Sequence, residues 1–267
     1  MIGENRLKNI EELSKQMRRI LLEVSFKCGQ SAHIGGALSI IEVLAVLYEE
    51  ILDIDLKNPK DRFILSKGHG FLGLLSALYC KGYIKKEEFL TFQSNGSEFI
   101  AHPIINSKYG IESSNGSLGQ GLSFGVGLAL SYKKKKKDKN IYVLVGDGEC
   151  YEGAIWEAAI TATESCLNNL FVIVDCNGFQ NDGAIKDSMI FEKMKSKWAG
   201  FGWNTIPCDG HKINDLSEAF KKKSINKPTV IIAKTVKGKG ISFMEKNNDW
   251  HHGRLTETLY NKAIEEL

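Results

Sequence analysis

Two residues with oxygen-bearing side chains stand at matching places in the chain. Asp147 lies in Gly146-Asp147-Gly148, directly after the apolar run Ile141–Val145, and Asn177 precedes Gly178 directly after a second run, Leu170–Asp175. One carboxylate, one amide oxygen and a glycine-lined turn suit a hard divalent cation that also holds phosphate oxygens. A second constellation is made of histidines: His33, His69, His102 and His252 all occupy glycine- or proline-flanked stretches. Imidazoles gain and lose protons near neutral pH, so four of them in loops suit a polar pocket that moves protons among hydroxyl and carbonyl groups. The chain has neither an HExxH or Cys/His zinc spacing nor a GxSxG nucleophile turn, which leaves hydrolase chemistry little support.

For Asp147 and Asn177 to converge, the segment between them has to bring two strand ends together. Gly153–Cys166 has helical composition, so Asn140–Gly183 reads as a strand–helix–strand crossover with parallel, nearby strands. Both oxygens then fall at the carboxyl edge of the sheet, where open α/β sheets bind ligands. Upstream, Leu7, Ile10, Leu13, Met17, Ile20, Leu21 and Val24 recur at helical spacing and predict a helix over 6–29. The loop Ser31–Gly36 follows, then a predicted helix over Leu38–Leu52, a short strand over Asp61–Ser66, a helix to Lys81 and a loop-rich stretch over 82–112. Ser117 is the expected N-cap of a helix running to Tyr132. That helix carries Gly119, Gly121, Gly125 and Gly127. Each glycine costs about 1 kcal/mol relative to alanine in a helix, so the backbone must pack very closely on the core or on another protein chain. Downstream come a helix over Met189–Ala199, a turn and strand over Gly200–Ile206, a helix over Ile213–Lys222, a strand over Thr229–Lys234, the cationic glycine loop Lys234–Gly240 and a last short helix. This alternation predicts one α/β domain over 1–267, with a mostly parallel central sheet flanked by helices.

Length and composition agree with a large core: 267 residues, with 35 Lys+Arg nearly balanced by 32 Asp+Glu. A chain so balanced gives no global field for nucleic acid or a membrane surface. The charged N-terminal stretch lacks the apolar region of a secretory signal, and no apolar run is long enough to span a bilayer. Six scattered cysteines without a CxxC pair read as reduced, mostly buried thiols, and a soluble cytoplasmic protein is expected. Lys133–Lys137 read as a solvated connection. Gly68, Gly70 and Gly73 spell GxGxxG, with Glu87 and Glu88 about 20 residues on, which is the pattern of a dinucleotide site. The strand before it is very short and a histidine enters the loop, so NAD binding ranks last among the readings.

Taken together, these motifs resemble the N-terminal, diphosphate-binding half of transketolase. Gly146-Asp147-Gly148 with Asn177 looks like the thiamine diphosphate motif of the wider enzyme class. Ser31–Gly36, Ser66-Lys67-Gly68-His69-Gly70, Gly116–Gly121, Lys234–Gly240 and His252-Gly253 look more specifically like transketolase. The resemblance covers nearly the whole chain. It implies a thiamine diphosphate-binding fold in which Asp147, Asn177 and the backbone carbonyl of Phe179 coordinate Mg²⁺. Gly146, Gly148, His69 and His252 would lie around the diphosphate, and Gly116 and Leu118 would border the cofactor's rings. His33, His102 and His252 would be the catalytic histidines, with His33 and His102 hydrogen-bonding the ketose donor and the intermediate derived from it. Glu152 and Glu157, which also suit a helix N-terminus, resemble the acidic residues of the family's dimer contact. Two departures, Ser31-Ala32-His33-Ile34-Gly35 in place of SGHPG and Ser117 in place of proline, are features of split forms of the enzyme.

The family's catalytic glutamate belongs to a following pyrimidine-binding domain, and this chain ends where that domain would begin. The expectation is therefore one subunit of a split transketolase, assembling with a separately encoded C-terminal, pyrimidine-binding partner as an α₂β₂ complex. Together they would transfer a two-carbon ketol unit from a ketose or ketose phosphate to an aldose or aldose phosphate. The rival readings are the α subunit of a 2-oxo acid dehydrogenase or decarboxylase, and a non-catalytic binding subunit. Four loop histidines favour a polyhydroxylated substrate over the first rival, and retention of Asp147, Asn177 and all four histidines speaks against the second.

Overall fold

The strongest local signals in the sequence, the runs around 141–145, 170–175 and 229–234, become the three central strands. A computed structural model describes residues 2–56, 59–186 and 189–267. Its strands are β1 (Arg62–Leu65), β2 (Ile141–Gly146), β3 (Leu170–Cys176), β4 (Phe179–Gln180), β5 (Gly183–Ala184), β6 (Asn204–Asp209) and β7 (Thr229–Lys234). Five of them form a parallel sheet in the order β1-β2-β3-β7-β6, while β4 and β5 make a small antiparallel hairpin. Register aligns Gly146 with Asp175 and Cys176 with Lys234, so the ends of β2, β3 and β7 share one edge. Every residue of β2 and β3 is buried. Helices cover both faces of a parallel sheet, which is why these strands are continuous apolar runs instead of alternating ones.

The helices are α1 (Glu4–Lys27), α2 (Ile34–Leu38), α3 (Ile41–Val46), α4 (Phe71–Cys80), α5 (Lys86–Phe89), α6 (Gln120–Lys134), α7 (Gly153–Glu164), α8 (Phe191–Gly200), α9 (Ile213–Lys221) and α10 (Glu257–Glu265). Leu144, Ile173 and Ile231 point from the sheet into a core shared with α1, α3, α4 and α9. Val143, Val172 and Ile232, their immediate neighbours in sequence, point into the opposite core, with α6, α7 and α8. Alternation along each strand therefore separates two cores. No helix among the described residues is long and apolar enough to cross a membrane.

Two local expectations change, and a third gains a detail. The helix expected over Leu38–Leu52 is broken: α2 starts directly after His33 and ends at Leu38, α3 begins at Ile41, and a wider π-type turn follows over Leu47–Ile51. At the break, the Ser39 hydroxyl lies 2.7 Å from a carboxylate oxygen of Asp175 and 3.0 Å from the Gly36 carbonyl, a tertiary contact that an uninterrupted helix pattern does not reveal. Ser117 is not the N-cap of α6. The helix starts at Gln120 after Gly119, whose φ of +84° places it in the left-handed region; the Gly119 N–H is capped by Glu149 Oε1 at 2.8 Å, a carboxylate from beyond β2. The lysine run is solvent-exposed as expected, with one addition: Lys133 Nζ donates to the Ser165 and Cys166 carbonyls at the end of α7, where a cation suits the helix dipole.

The α6 glycines divide into two kinds. A Cβ on Gly121 would sit 2.6 Å from the side chain of Ser66, and one on Gly125 would sit 2.6 Å from Val143 Cγ2, so these two let the helix rest on β1 and β2. A Cβ on Gly127 would meet nothing within 4 Å. Gly125→Ala should therefore lower the unfolding free energy by about 1–3 kcal/mol through overpacking, whereas Gly127→Ala should raise it by up to about 1 kcal/mol through helix propensity. Urea unfolding of the two variants, followed by circular dichroism, checks the opposite signs.

Candidate active site at the carboxyl edge of the sheet

A buried ion pair organises the edge. Lys67, in the turn after β1, places Nζ 2.5 Å from Asp175 Oδ2 on β3, and both side chains are 0 % exposed. The carboxylate also accepts from Asn177 Nδ2 (2.8 Å) and from the hydroxyls of Ser39 and Thr235, and Lys67 donates to the Gly36 carbonyl at 2.9 Å. Desolvation opposes the charge on Asp175, but the Lys67 ammonium and these donors hold its pKa below the usual carboxylate value. Segments from β1, α2, β3 and β7 thus meet on a single carboxylate.

That pair orients the oxygen set. Asn177 gives its amide nitrogen to Asp175, and its Oδ1 accepts the Phe179 N–H at 3.0 Å, which fixes which way the amide faces. Asp147, only 3 % exposed at the end of β2, accepts from the Gly148 N–H at 2.8 Å and the Gly178 N–H at 2.7 Å. Gly178 has φ +82°, a conformation that glycine adopts without penalty. Despite these donors, burial and the neighbouring charge of Asp175 push the Asp147 carboxyl up to about 7. Asp147, Asn177 and Phe179 line one cleft of about 240 Å³, together with Gly146, Gly148 and Leu118. A buried carboxylate disfavoured by its surroundings fits a site completed by a cation. Among the described residues no group of three or more His, Cys, Asp and Glu side chains is arranged to hold a metal. A cation here therefore needs oxygens from phosphate or water, the habit of Mg²⁺.

The histidines gather beside this cleft. His33, immediately before α2, has its ring centroid 4.7 Å from that of His252, 5.2 Å from His102, 5.4 Å from His251 and 6.0 Å from His69. Burial, then its histidine neighbours, lower the His33 pKa to about 3; burial and Lys237 bring His251 to about 4. Burial and Lys67 hold His69 well below its ordinary value, and burial with His252 lowers His102. These four rings are neutral at physiological pH, each with one donor and one acceptor nitrogen. The His33 Nδ1 is buried without a hydrogen-bond partner among the described residues. Such an atom carries a desolvation cost that a ligand hydroxyl would relieve.

All of the histidines singled out in the sequence converge, although His252 does so away from the cleft. It stands on the His33 and His102 side, while His251, which sequence reasoning passed over, joins His69 in lining the cleft. Adjacent histidines leave the chain direction to decide which one faces inward, and only the fold supplies that. Gly116 is not among the residues that line the cleft, and a Cβ there would meet nothing within 4 Å. Glu149 was also missed: its buried carboxylate accepts from Ser66 Oγ, the Gly119 N–H and the Gly146 N–H, linking three loops of the site. Lys237, 1 % exposed, reaches Asn248 Oδ1 at 2.7 Å and His251 Nδ1 at 2.9 Å. The glycines at 68, 70 and 73 are spacers: side chains there would collide with the Asn115 carbonyl, Ile40 and the Ala37 carbonyl. Gly70 and Gly73 let α4 approach the α2–α3 segment and Gly68 clears the Asn115 loop, so close packing accounts for all three glycines. Glu152 and Glu157 are both exposed near the start of α7.

Comparison with known proteins agrees with this geometry. The family model described as "Transketolase, thiamine diphosphate binding domain" matches residues 10–265. The chain is 39% identical over 267 residues to one of the subunits of the apulose-4-phosphate transketolase of Phocaeicola vulgatus, covering 98% of this chain and 94% of that one. It is 38% identical to the 6-deoxy-6-sulfo-D-fructose transketolase subunit SqwG of a Clostridium species, covering 97% and 96%. Human transketolase is 32% identical, but the match covers 99% of this chain and 43% of that longer one. Among solved structures, transketolase from Leishmania mexicana superposes with a TM-score of 0.85 at 26% identity, over 95% of this chain and 40% of that one.

Two outcomes follow from the electrostatics. Lys67→Met leaves Asp175 as an uncompensated buried charge and should destabilise the protein by about 3–5 kcal/mol, read by denaturant titration. The Asp147 carboxyl binds its proton more tightly folded than unfolded, so its contribution to stability is complete below the unfolded pKa near 3.8 and is lost as pH rises through about 7. Asp147→Asn does not titrate. In metal-free buffer the variant should gain on the parent by roughly 3 kcal/mol between pH 5 and pH 8, visible as a widening gap in melting temperature; a constant gap contradicts the burial argument.

Proposed function

The chain belongs to the transketolase thiamine diphosphate-binding domain family, and on that premise we propose that it is the diphosphate-binding subunit of a split transketolase. Residues 1–267 act as one domain that holds Mg²⁺ through Asp147, Asn177 and the Phe179 carbonyl. Gly146, Gly148, His69 and His251 surround the diphosphate, with Gly116 and Leu118 beside the rings of the cofactor. When bound, thiamine diphosphate supplies the electron sink for cleaving and forming a carbon–carbon bond. The chain's own residues bind and orient. His33 and His102 present neutral imidazoles to the hydroxyl and carbonyl oxygens of a sugar, donating from one nitrogen and accepting at the other, and the His252 ring completes that wall of the pocket.

The observation that carries this reading is the ring cluster centred on His33, adjoining the Asp147–Asn177 oxygen pair. A cation-and-phosphate cleft alone would fit many phosphate enzymes; a polar imidazole cluster beside it suits a polyhydroxylated substrate. The reaction is transfer of a two-carbon ketol unit from a ketose or its phosphate to an aldose or its phosphate. The relatives named for subunits, matched over nearly their whole length, support a second chain that contributes the pyrimidine pocket, in an α₂β₂ assembly. All six cysteines are free, in keeping with a reducing cytoplasm.

Mixing the purified chain with a pyrimidine-domain subunit, Mg²⁺ and thiamine diphosphate should give ketol transfer between a ketose phosphate and an aldose phosphate, with either chain alone inactive. His33→Ala should lower kcat/KM by about 10²–10⁴-fold, the range for losing a positioned acid–base group, while cofactor binding persists. Asp147→Ala should abolish Mg²⁺-dependent cofactor binding in calorimetry. Full transfer by the lone chain would sink the two-subunit reading.

A further inference from the structure

Outside the cleft, a second set of buried charged groups has no part in the chemistry above. Glu42 of α3 places Oε1 2.5 Å from Arg18 Nη2 of α1 and Oε2 2.9 Å from His211 Nδ1, in the turn between β6 and α9. Glu42 and Arg18 are both buried. The other nitrogen of His211, Nε2, accepts the Val236 N–H at 2.8 Å, which assigns the ring proton to Nδ1 and aims it at Glu42. Arg18 Nε, from the other side of the carboxylate, donates to the Lys239 carbonyl at 3.2 Å.

Val236 and Lys239 flank Lys237. Through a histidine at one end and an arginine at the other, one carboxylate therefore reaches both ends of the loop that delivers Lys237, alongside the bonds of Thr235 to Asp175 and of the Gly240 N–H to Glu245. The peptide groups between are pinned as well: the Gly238 N–H donates to the Gly35 carbonyl at 3.0 Å and the Lys237 carbonyl accepts from the Lys246 N–H at 2.9 Å. Gly240, with φ +94°, leaves just enough room for Arg18, since a Cβ there would stand 2.8 Å from Nε. At the apex of the loop the Lys237 ammonium meets His251 and lies 5.7 Å from the Phe179 ring, so this clamp helps set where a positive charge stands beside the cleft.

We propose that Glu42 is a positioning residue which, through Arg18 and His211, helps hold the Lys237 loop so that Lys237 stands beside the diphosphate cleft, against the His251 that lines it. This rests on reading the cleft as the cofactor's diphosphate site. A groove of about 670 Å³ between α1 and the start of α9 reaches the outer side of Arg18, Glu42 and His211. Water can therefore take up polar groups that a substitution leaves unpaired, and a conservative variant should remain folded.

The test uses the full chain carrying Glu42→Gln, in two independent arms. Competitive acetylation with mass spectrometry reads Lys237 directly, with no cofactor present. Its labelling rate should rise at least threefold in E42Q while that of Lys67 stays constant; an unchanged Lys237 rate overturns the proposal. Calorimetry with Mg²⁺ and thiamine diphosphate, on the chain assembled with a pyrimidine-domain subunit, reads the consequence. E42Q should bind about tenfold more weakly than the parent, whereas in a Lys237→Met background it should cost nothing further. A full, additive loss in that background means that Glu42 acts by general structural support, and this too overturns the proposal. If Lys237 is loosened by E42Q but the parent, assembled with a pyrimidine-domain subunit, binds no Mg²⁺–thiamine diphosphate, the clamp stands and the assignment of the cleft fails.

Discussion

The Lys67–Asp175 pair is the constraint on which the rest of the edge depends. Two charges removed from water are tolerated only when they face each other and their remaining lone pairs and protons are used. Here they are: Ser39, Thr235 and Asn177 donate to the carboxylate, and the Gly36 carbonyl takes a proton of the ammonium. Each of those partners sits on a segment that carries a site residue nearby. His33 and Gly36 lead α2, His69 follows Lys67 by two residues, and Lys237 follows Thr235 by two. A single buried charge pair thus converts separate loops into one rigid frame.

The same low dielectric shapes the chemistry beside it. Histidines clustered around His33 disfavour one another's charged forms, and Lys67 and Lys237 add to the effect on His69 and His251. Asp147 is pushed the opposite way by burial and by Asp175. One edge therefore holds imidazoles kept neutral next to a carboxylate that gains from a cation. Both environments are built on segments that the Lys67–Asp175 pair ties together.

Glu149 and Glu42 act in a related way. Each is a buried carboxylate whose two oxygens serve several chain segments: Glu149 caps the backbone at Gly119 and Gly146 and takes the Ser66 hydroxyl, and Glu42 divides between Arg18 and His211. Carboxylates have enough lone pairs to do this, and charge-assisted bonds are stronger than neutral ones. Neither residue is distinguishable by local pattern from an ordinary helix or turn glutamate.

How much could be read from residues alone follows from the range of each interaction. The central strands, the crossover helix Gly153–Glu164 and the convergence of Asp147 with Asn177 were legible, because apolar runs, turn glycines and the rules for parallel crossovers act within a few tens of residues. The packing role of α6 was legible in part: four glycines announced close approach, but only the fold separates Gly121 and Gly125, pressed on β1 and β2, from Gly127, which faces open space. What needed the tertiary structure was everything decided by contacts between distant segments: the break at Ser39, made to reach Asp175; the capping of α6 by Glu149 instead of Ser117; the glycines at 68, 70 and 73 as spacers; and His251, not its neighbour, turned toward the cleft. In each case a polar or closely packed group had to find its partner far along the chain, and no local pattern records who that partner is.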